Sequence, residues 1–305
     1  MTALRVVRPG LLSTIQDLGR SGYQSVGVPV AGPMDWYSHR LANRLVGNAD
    51  DAAAIEITLI GPELAADGDV LCAVAGAAFE VTVDGTRVPM HRPFAVRPGQ
   101  RIVFGERRSG ARASIAVRGG VDVPVTLGSR ATHLVSHMGP FGGRPLRAGD
   151  TLPIGQGSGA LRFCGAGPLT IPAGVPTLRL IEGPHRDRFR DDAWASLCSA
   201  TFQVSIESNR MGYRLDGPAL DHVRGADILS EATAMGALQV PASGQPILLM
   251  ADRQTTGGYT IIATVITADL PIAGQLAPGD PVRFAPCSRD GALAALAGRE
   301  SELRR

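Results

Sequence analysis

The sequence predicts an all-β protein, mainly strands with a few short helices, arranged as two related subdomains. Three observations predict it. Most apolar segments are runs of about four to seven residues rich in Val, Ile and Thr. The 38 glycines and 22 prolines, about a fifth of the 305 residues, punctuate those runs without reaching the range of low-complexity disorder. Short strings also recur in the same order along the two halves.

In chain order, strands are expected at residues 78–83 (closing on Asp84-Gly85), 101–104, 113–117, 201–206, 247–250 and 260–266. Helices are expected at three places. Over residues 34–46, Met34, Tyr37, Leu41 and Leu45 fall at helical spacing and Gly47-Asn48 supplies the stop. Over 187–197, Phe189, Trp194 and Leu197 lie toward one side. Residues 291–303 form a weakly amphipathic third.

The repeated strings are four. Leu4-Arg-Val-Val-Arg-Pro-Gly10 resembles Leu178-Arg-Leu-Ile-Glu-Gly-Pro184, and Arg20-Ser-Gly-Tyr23 matches Arg210-Met-Gly-Tyr213. Glu56-Ile-Thr-Leu-Ile-Gly61 matches Glu231-Ala-Thr-Ala-Met-Gly236, and Asp122-Val-Pro124 matches Asp269-Leu-Pro271. The order points to subdomains at residues 1–170 and 171–305, joined through a Pro/Gly-rich stretch at 165–176. The alternative is that strand–turn strings recur by chance in a β protein.

All 30 basic residues are arginine. A chain without lysine has no Schiff-base lysine, no P-loop lysine and no attachment point for biotin or lipoate. The net charge of +2, with sparse aromatics and no dense basic run, excludes a nucleic-acid surface. No apolar stretch is long enough for a membrane helix, and residues 1–10 do not form a signal peptide. Cys72, Cys164, Cys198 and Cys287 stand alone, which fits reduced thiols in a cytoplasmic protein and no zinc site.

Three segments carry candidate chemistry. Around Ser13–Tyr23, Gln16, Asp17 and Arg20 offer an amide, a carboxylate and a guanidinium for a planar polar ligand, with Tyr23 beyond them. Local sequence alone favours the other reading, a turn closed by an Asp–Arg ion pair. Around 207–213, Ser208, Asn209, Arg210 and Tyr213 offer a second polar loop, or a hairpin turn. From Gln239 to Tyr259 an apolar strand delivers Asp252-Arg-Gln-Thr-Thr-Gly-Gly-Tyr259, denser in polar groups than a hairpin requires; Gly257 and Gly258 would let backbone N–H groups approach an anion. His133 and His137 have the spacing of a helical metal pair but lack a Glu between them and run into Gly139-Pro140, so no metal is expected. The other histidines, His39, His91, His185 and His222, stand alone and read as structural.

Several of these residues resemble a known family. Thr14-Ile-Gln-Asp-Leu-Gly-Arg20, Gly32-Pro-Met-Asp35, Ala42-Asn-Arg-Leu-Val-Gly-Asn48 and Glu56 look like its N-terminal signature. Arg118-Gly-Gly-Val-Asp122, Leu127-Gly-Ser129, Ser208-Asn-Arg-Met-Gly212, Gln239-Val-Pro241 and Asp252-Arg-Gln-Thr-Thr-Gly-Gly-Tyr259 resemble the remainder. The family is the allophanate-hydrolase-subunit-2-like group. It includes the C-type chain of bacterial 5-oxoprolinase, the antagonist of the sporulation kinase inhibitor, and the carboxyltransferase region of urea carboxylase. The resemblance implies two cyclophilin-like β-barrel subdomains. It also implies partners: a B-type, subunit-1-like chain and an A-type chain.

The activity so implied is ATP-dependent opening of 5-oxoproline to L-glutamate by the complex, with ATP at the complex or on a partner. Carboxyl transfer from biotin carried by another chain is the alternative, and a non-enzymatic regulatory module is a third. Matching to the family's motifs, together with residue chemistry, assigns Asp17, Arg20, Asn209, Arg210 and Asp252 to catalysis. The same matching assigns Gln16, Tyr23, Glu56, Ser208, Tyr213, Glu231, Gln239, Gln254, Thr255, Gly257, Gly258 and Tyr259 to substrate binding. On this reading Arg210→Ala and Asp252→Ala abolish activity and leave the fold intact.

Overall fold

The computed structural model describes residues 2–157, 167–170 and 174–304. Cys164 and part of the stretch expected to link the subdomains lie outside them. The chain divides into two compact units, one of Met1–Arg20, Ala31–Leu169 and Ser301–Arg305, the other of Ser21–Val30 and Thr170–Glu300. Both are built on β-sheets, as the strand and turn pattern predicts.

The first unit holds β1 (Ala3–Arg8), β2 (Leu12–Gln16), α1 (Trp36–Leu45), β3 (Ala54–Thr58), β4 (Glu63–Ala66), β5 (Val70–Val83), β6 (Thr86–Val88), β7 (Phe94–Val96), β8 (Arg101–Val117), the single turn α2 (Pro140–Gly143) and β9 (Thr151–Pro153). Its sheet runs β2-β3-β8-β4-β1-β9, with β5 against β8 and carrying β6 and β7, a half-barrel. The two expected strands at 101–104 and 113–117 are one long strand, β8. Their junction is absorbed by bulges against β5, where the register shifts at three steps between Gly76 and Val81. Gly76 has φ +110°, and a Cβ there would lie 2.4 Å from the Arg112 carbonyl oxygen, so the bulge requires glycine.

Alternation decides which face of this sheet is apolar. Ile15, Ile55, Ile57 and Ile115 are buried in one core. Out of phase with Ile15, Ile55 and Ile115, Thr14 pairs with Glu56 and Glu56 with Ser114, giving a row of buried polar residues on the opposite face. Helix α1 begins where Asp35 caps it, Oδ1 accepting from the Ser38 N–H at 2.9 Å. It buries Tyr37, His39, Leu41, Asn43 and Leu45.

The second unit holds β10 (Thr177–Glu182), α3 (Asp191–Ser199), β11 (Thr201–Val204), β12 (Gly212–Asp216), β13 (Asp227–Ala232), β14 (Ala237–Val240), β15 (Ile247–Leu249), β16 (Thr256–Val265), α4 (Leu270–Gly274), β17 (Pro281–Pro286) and α5 (Arg289–Arg304). Seven strands close a barrel in the order β10-β17-β11-β12-β15-β14-β16, with β16 returning to β10 and β13 attached outside the ring to β16. The second expected helix starts later than residue 187, at Asp191, because residues 186–188 form a 3₁₀ turn. Strand β16 starts earlier than expected, at Thr256, because its first residues pair with β13.

His39 gives a pH signature. It is buried, with Nε2 against Asn43 Nδ2 at 3.2 Å, and burial pushes its imidazole down to about 4. The folded state therefore favours neutral His39, so its contribution is complete above the unfolded value near 6.5 and is lost as pH falls toward 4. That contribution is about 3 kcal/mol. Urea denaturation as a function of pH should show the wild-type chain losing stability across that window and His39→Gln losing distinctly less. Parallel pH profiles would show that His39 does not set it.

Candidate functional site

In the first unit, the loop after β2 is tied to residues 126–132. Gln16 Nε2 donates to the Thr132 carbonyl at 3.0 Å and to Thr14 Oγ1 at 3.1 Å. Asp17 Oδ1 accepts from the Gly19 N–H at 2.9 Å and from Ser129 Oγ at 2.6 Å, while Oδ2 accepts from the Arg130 N–H at 2.5 Å. Arg20 Nη2 donates to the Ala131 carbonyl at 2.6 Å and Nε to that of Thr126 at 3.3 Å. The three side chains read from sequence as a ligand-orienting set thus orient the chain's own backbone. Glu56 Oε2 accepts from the Met34 N–H at 2.6 Å and fixes the entry to α1. We assign Gln16, Asp17, Arg20 and Glu56 to positioning. Tyr23, grouped with the second unit, is partly exposed beside a short 3₁₀ turn.

In the second unit, Arg210 and Asp252 form a bidentate ion pair, Nε to Oδ2 and Nη2 to Oδ1, both at 3.0 Å. Their side chains are 4% and 1% exposed. The Asp252 N–H also donates to the Arg210 carbonyl at 2.8 Å, so backbone and side chains join the β12 approach to the end of β15. Asn209 closes a turn, its Oδ1 accepting from the Met211 N–H at 2.8 Å. Ser208 Oγ donates to the Arg214 carbonyl at 3.3 Å, and Tyr213 is buried in β12. The repeated strings around Tyr23 and Tyr213 therefore occupy different settings.

A polar cluster forms where β14, β16 and residues 233–255 meet. Gln239 is 2% exposed. Its Oε1 accepts from Gln254 Nε2 at 3.3 Å, while its Nε2 has no hydrogen-bond partner. The register of β14 on β16 shifts at this residue, a bulge that re-aims the side chain. A Cβ on Gly257 would lie 2.3 Å from Gln239 Nε2, so that amide occupies the space a side chain would fill. Gly257 is therefore a space-maker in a paired strand, not the anion-approaching loop glycine read from sequence. Gly258 makes only ordinary contacts. Thr233 Oγ1 donates to the Gln254 carbonyl, and its N–H donates to the Thr255 carbonyl at 3.0 Å.

Two further residues join this cluster that the sequence reading did not select. Arg253 Nε donates to the Thr233 carbonyl at 3.3 Å. Burial alone holds its guanidinium below its ordinary value, with no carboxylate acting to raise it. His185 stands 3.8 Å from Glu231 through Nε2, and its Nδ1 accepts from the Ile261 N–H at 3.1 Å. The neutral ring therefore carries its proton on Nε2, toward Glu231. Glu231 is registered opposite Gly257, which places its side chain on the face that Gln239 fills. Tyr259, opposite Asp227, is exposed.

His133 and His137 sit in an irregular turn, not a helix: residue 133 bridges residue 138 and His137 has φ 52°. Among the described residues no group of three or more His, Cys, Asp or Glu side chains is placed to hold a metal. Burial pushes the Cys72 thiol up to about 12, which leaves it inert at neutral pH. No described helix is long and apolar enough to cross a membrane.

Residues 26–286 match the family model for the carboxyltransferase domain, subdomains A and B. The chain is 37% identical to the C-type chain of the 5-oxoprolinase of Escherichia coli, across 96% of this chain and 94% of that protein. It is 34% identical to the urea amidolyase of Saccharomyces cerevisiae across 94% of this chain, but spans only 17% of that much longer protein. The crystal structure of the Kluyveromyces lactis urea amidolyase superposes with a TM-score of 0.90 at 32% identity, covering 99% of this chain and 20% of that one.

The geometry revises the expected effect of substitution at the ion pair. Arg210→Ala leaves Asp252 buried without its bidentate partner, which costs about 3–5 kcal/mol. Chemical denaturation should show that loss, and an unchanged midpoint would show the pair to be dispensable for the fold. Gly257→Ala should cost about 1–3 kcal/mol, as the methyl group and the Gln239 amide compete for one space. A wild-type midpoint there would show that the amide moves aside freely.

Proposed function

This chain belongs to the carboxyltransferase domain A and B family, and from that premise we propose that it is the C-type chain of an ATP-dependent 5-oxoprolinase that opens 5-oxoproline to L-glutamate. The observation that carries this reading is the match to the C-type chain of a bacterial 5-oxoprolinase, which spans nearly the whole of both proteins. The complex would include a B-type and an A-type chain.

Within this chain the reacting amide is assigned to the cluster of the second barrel. Gln239 Nε2 is a buried donor with no partner, and it is available to the oxygen of a ring amide. Glu231, with the His185 Nε2–H beside it, is the carboxylate placed to accept a proton from attacking water. Asp17 and Asp252 do not fill that role, because their oxygens accept hydrogen bonds from the chain itself. Arg210, through Asp252, and Thr255, through Thr233, support the cluster, and Tyr259 lies exposed on β16 two residues beyond Gly257, while Ser208, Asn209 and Tyr213 hold the β12 approach and are not assigned to it.

Among the described residues, the glycine-rich start of β16 does not fit the phosphates of ATP. The chain has no lysine, and the glycines of β16 are paired in a strand, so no phosphate cradle is formed there. ATP is therefore assigned to the partners, and no step on this chain runs through it. Biotin-dependent carboxyl transfer is the second reading. It is favoured by the family model and by the similarity to urea amidolyase, and it needs biotin on another chain.

Co-expression with A- and B-type chains and assay of ATP-dependent glutamate release from 5-oxoproline tests the first reading. Turnover requiring all three chains is expected, with Glu231→Gln lowering kcat by about 100-fold or more. A stable complex without turnover would remove the 5-oxoprolinase reading in favour of carboxyl transfer.

A further inference from the structure

We infer that Arg253 is the group of the second barrel that binds the carboxylate of the substrate, in the same neighbourhood as the Gln239 amide that takes its ring oxygen. The inference rests on the lactam reading above and adds the residue that reads the substrate's charge. Two independent observations support it. Gln239 is nine-tenths buried and more, and its Nε2 donor meets no acceptor. A buried donor without a partner costs about 1–3 kcal/mol, a penalty that a ligand oxygen removes. Arg253 is a half-buried cation depressed by burial with no compensating carboxylate.

The two groups share one neighbourhood. Arg253 Nε is held on the Thr233 carbonyl at 3.3 Å. The Thr233 side chain and Gln239 Nε2 both border the empty Cβ position of Gly257, at 3.1 and 2.3 Å. Anchoring through Nε leaves the paired Nη groups of the fork for an incoming carboxylate, the geometry in which a guanidinium binds most selectively. The Gln254 amide orients Gln239 by occupying its Oε1, so the group offered is an N–H. A cation and a neutral donor together select an anionic oxygen group. A neutral amide such as 2-pyrrolidinone satisfies Gln239 and leaves Arg253 uncompensated.

The test is calorimetric titration of the full-length chain with three probes: L-5-oxoproline, 2-pyrrolidinone and bicarbonate. L-5-oxoproline should bind about tenfold or more tightly than 2-pyrrolidinone. Arg253→Gln should remove that preference while leaving 2-pyrrolidinone binding unchanged, and Arg253→Lys should restore part of it. Gln239→Glu, which places a negative charge beside the subsite, should abolish binding of L-5-oxoproline with the thermal midpoint as the check on folding. Equal binding of L-5-oxoproline by wild-type and Arg253→Gln protein, binding of bicarbonate alone, or no binding of any probe would each overturn the inference. The lactam reading fails separately. Glutamate release by the complex with Arg253→Gln binding unchanged would leave that reading standing without the subsite. Arg253-dependent binding of L-5-oxoproline without glutamate release would retain the subsite and remove the reaction.

Discussion

A guanidinium keeps its charge throughout the physiological range and presents five N–H donors in one plane, so every arginine taken out of water must be met by oxygen. This chain has no lysine, and the constraint falls wholly on arginine. Several of the described arginines meet it in one of two ways. The buried Arg210 is met by Asp252, and the partly exposed Arg179 and Arg144 by Asp269 at 2.6 Å and Asp150 at 2.7 Å. Arg20 is met by main-chain carbonyls of residues 126 and 131. Most of these contacts join segments far apart in sequence, and they fix the loops between strands more firmly than loop composition would suggest. Arg253 departs from the pattern, with one bond to a carbonyl and no compensating carboxylate.

The departure is one residue away from the strongest case of the rule. Asp252 holds Arg210 through its side chain and through its N–H, and the Arg253 N–H donates to the Met250 carbonyl at 3.2 Å. The backbone that carries Arg253 is thus pinned by a buried ion pair, and a recognition residue gains accuracy from being mounted on a rigid support. Loss of activity on removal of Arg210 or Asp252 would report this support. It reads as chemistry only where the folded population is measured alongside.

The fold class was legible because turn-formers and β-branched runs act locally. Helix α1 was legible for the same reason, since its apolar spacing and its stop lie within one stretch. The site was legible only in part. Gln16, Asp17 and Arg20 offer the same donors and acceptors to a ligand as to residues 126–132, and more than a hundred residues separate the partners. Nothing in the local string distinguishes the two uses. The string from Asp252 to Tyr259 showed the right density of polar groups, but its division into a structural Asp252, an uncompensated Arg253 and a space-making Gly257 depends on burial. His185 looked solitary because Glu231 reaches it only through the pairing of β13 with β16.

Lactam opening and carboxyl transfer are close in what they ask of a protein, since both develop negative charge on an amide or ureido oxygen. A family likeness shared by a 5-oxoprolinase chain and urea amidolyase is what such chemistry would leave. The difference lies in the rest of the ligand. Urea presents N–H donors on both sides of its carbonyl and carries no charge. The Gln239 amide is turned by Gln254 to present an N–H, and the Arg253 cation is linked to it through Thr233 and the empty Cβ position of Gly257. An N–H of urea directed at either group would meet donor with donor. Oxygen on two sides of the ligand, one of them charged, satisfies both groups at once, and a lactam with a ring carboxylate carries that pair.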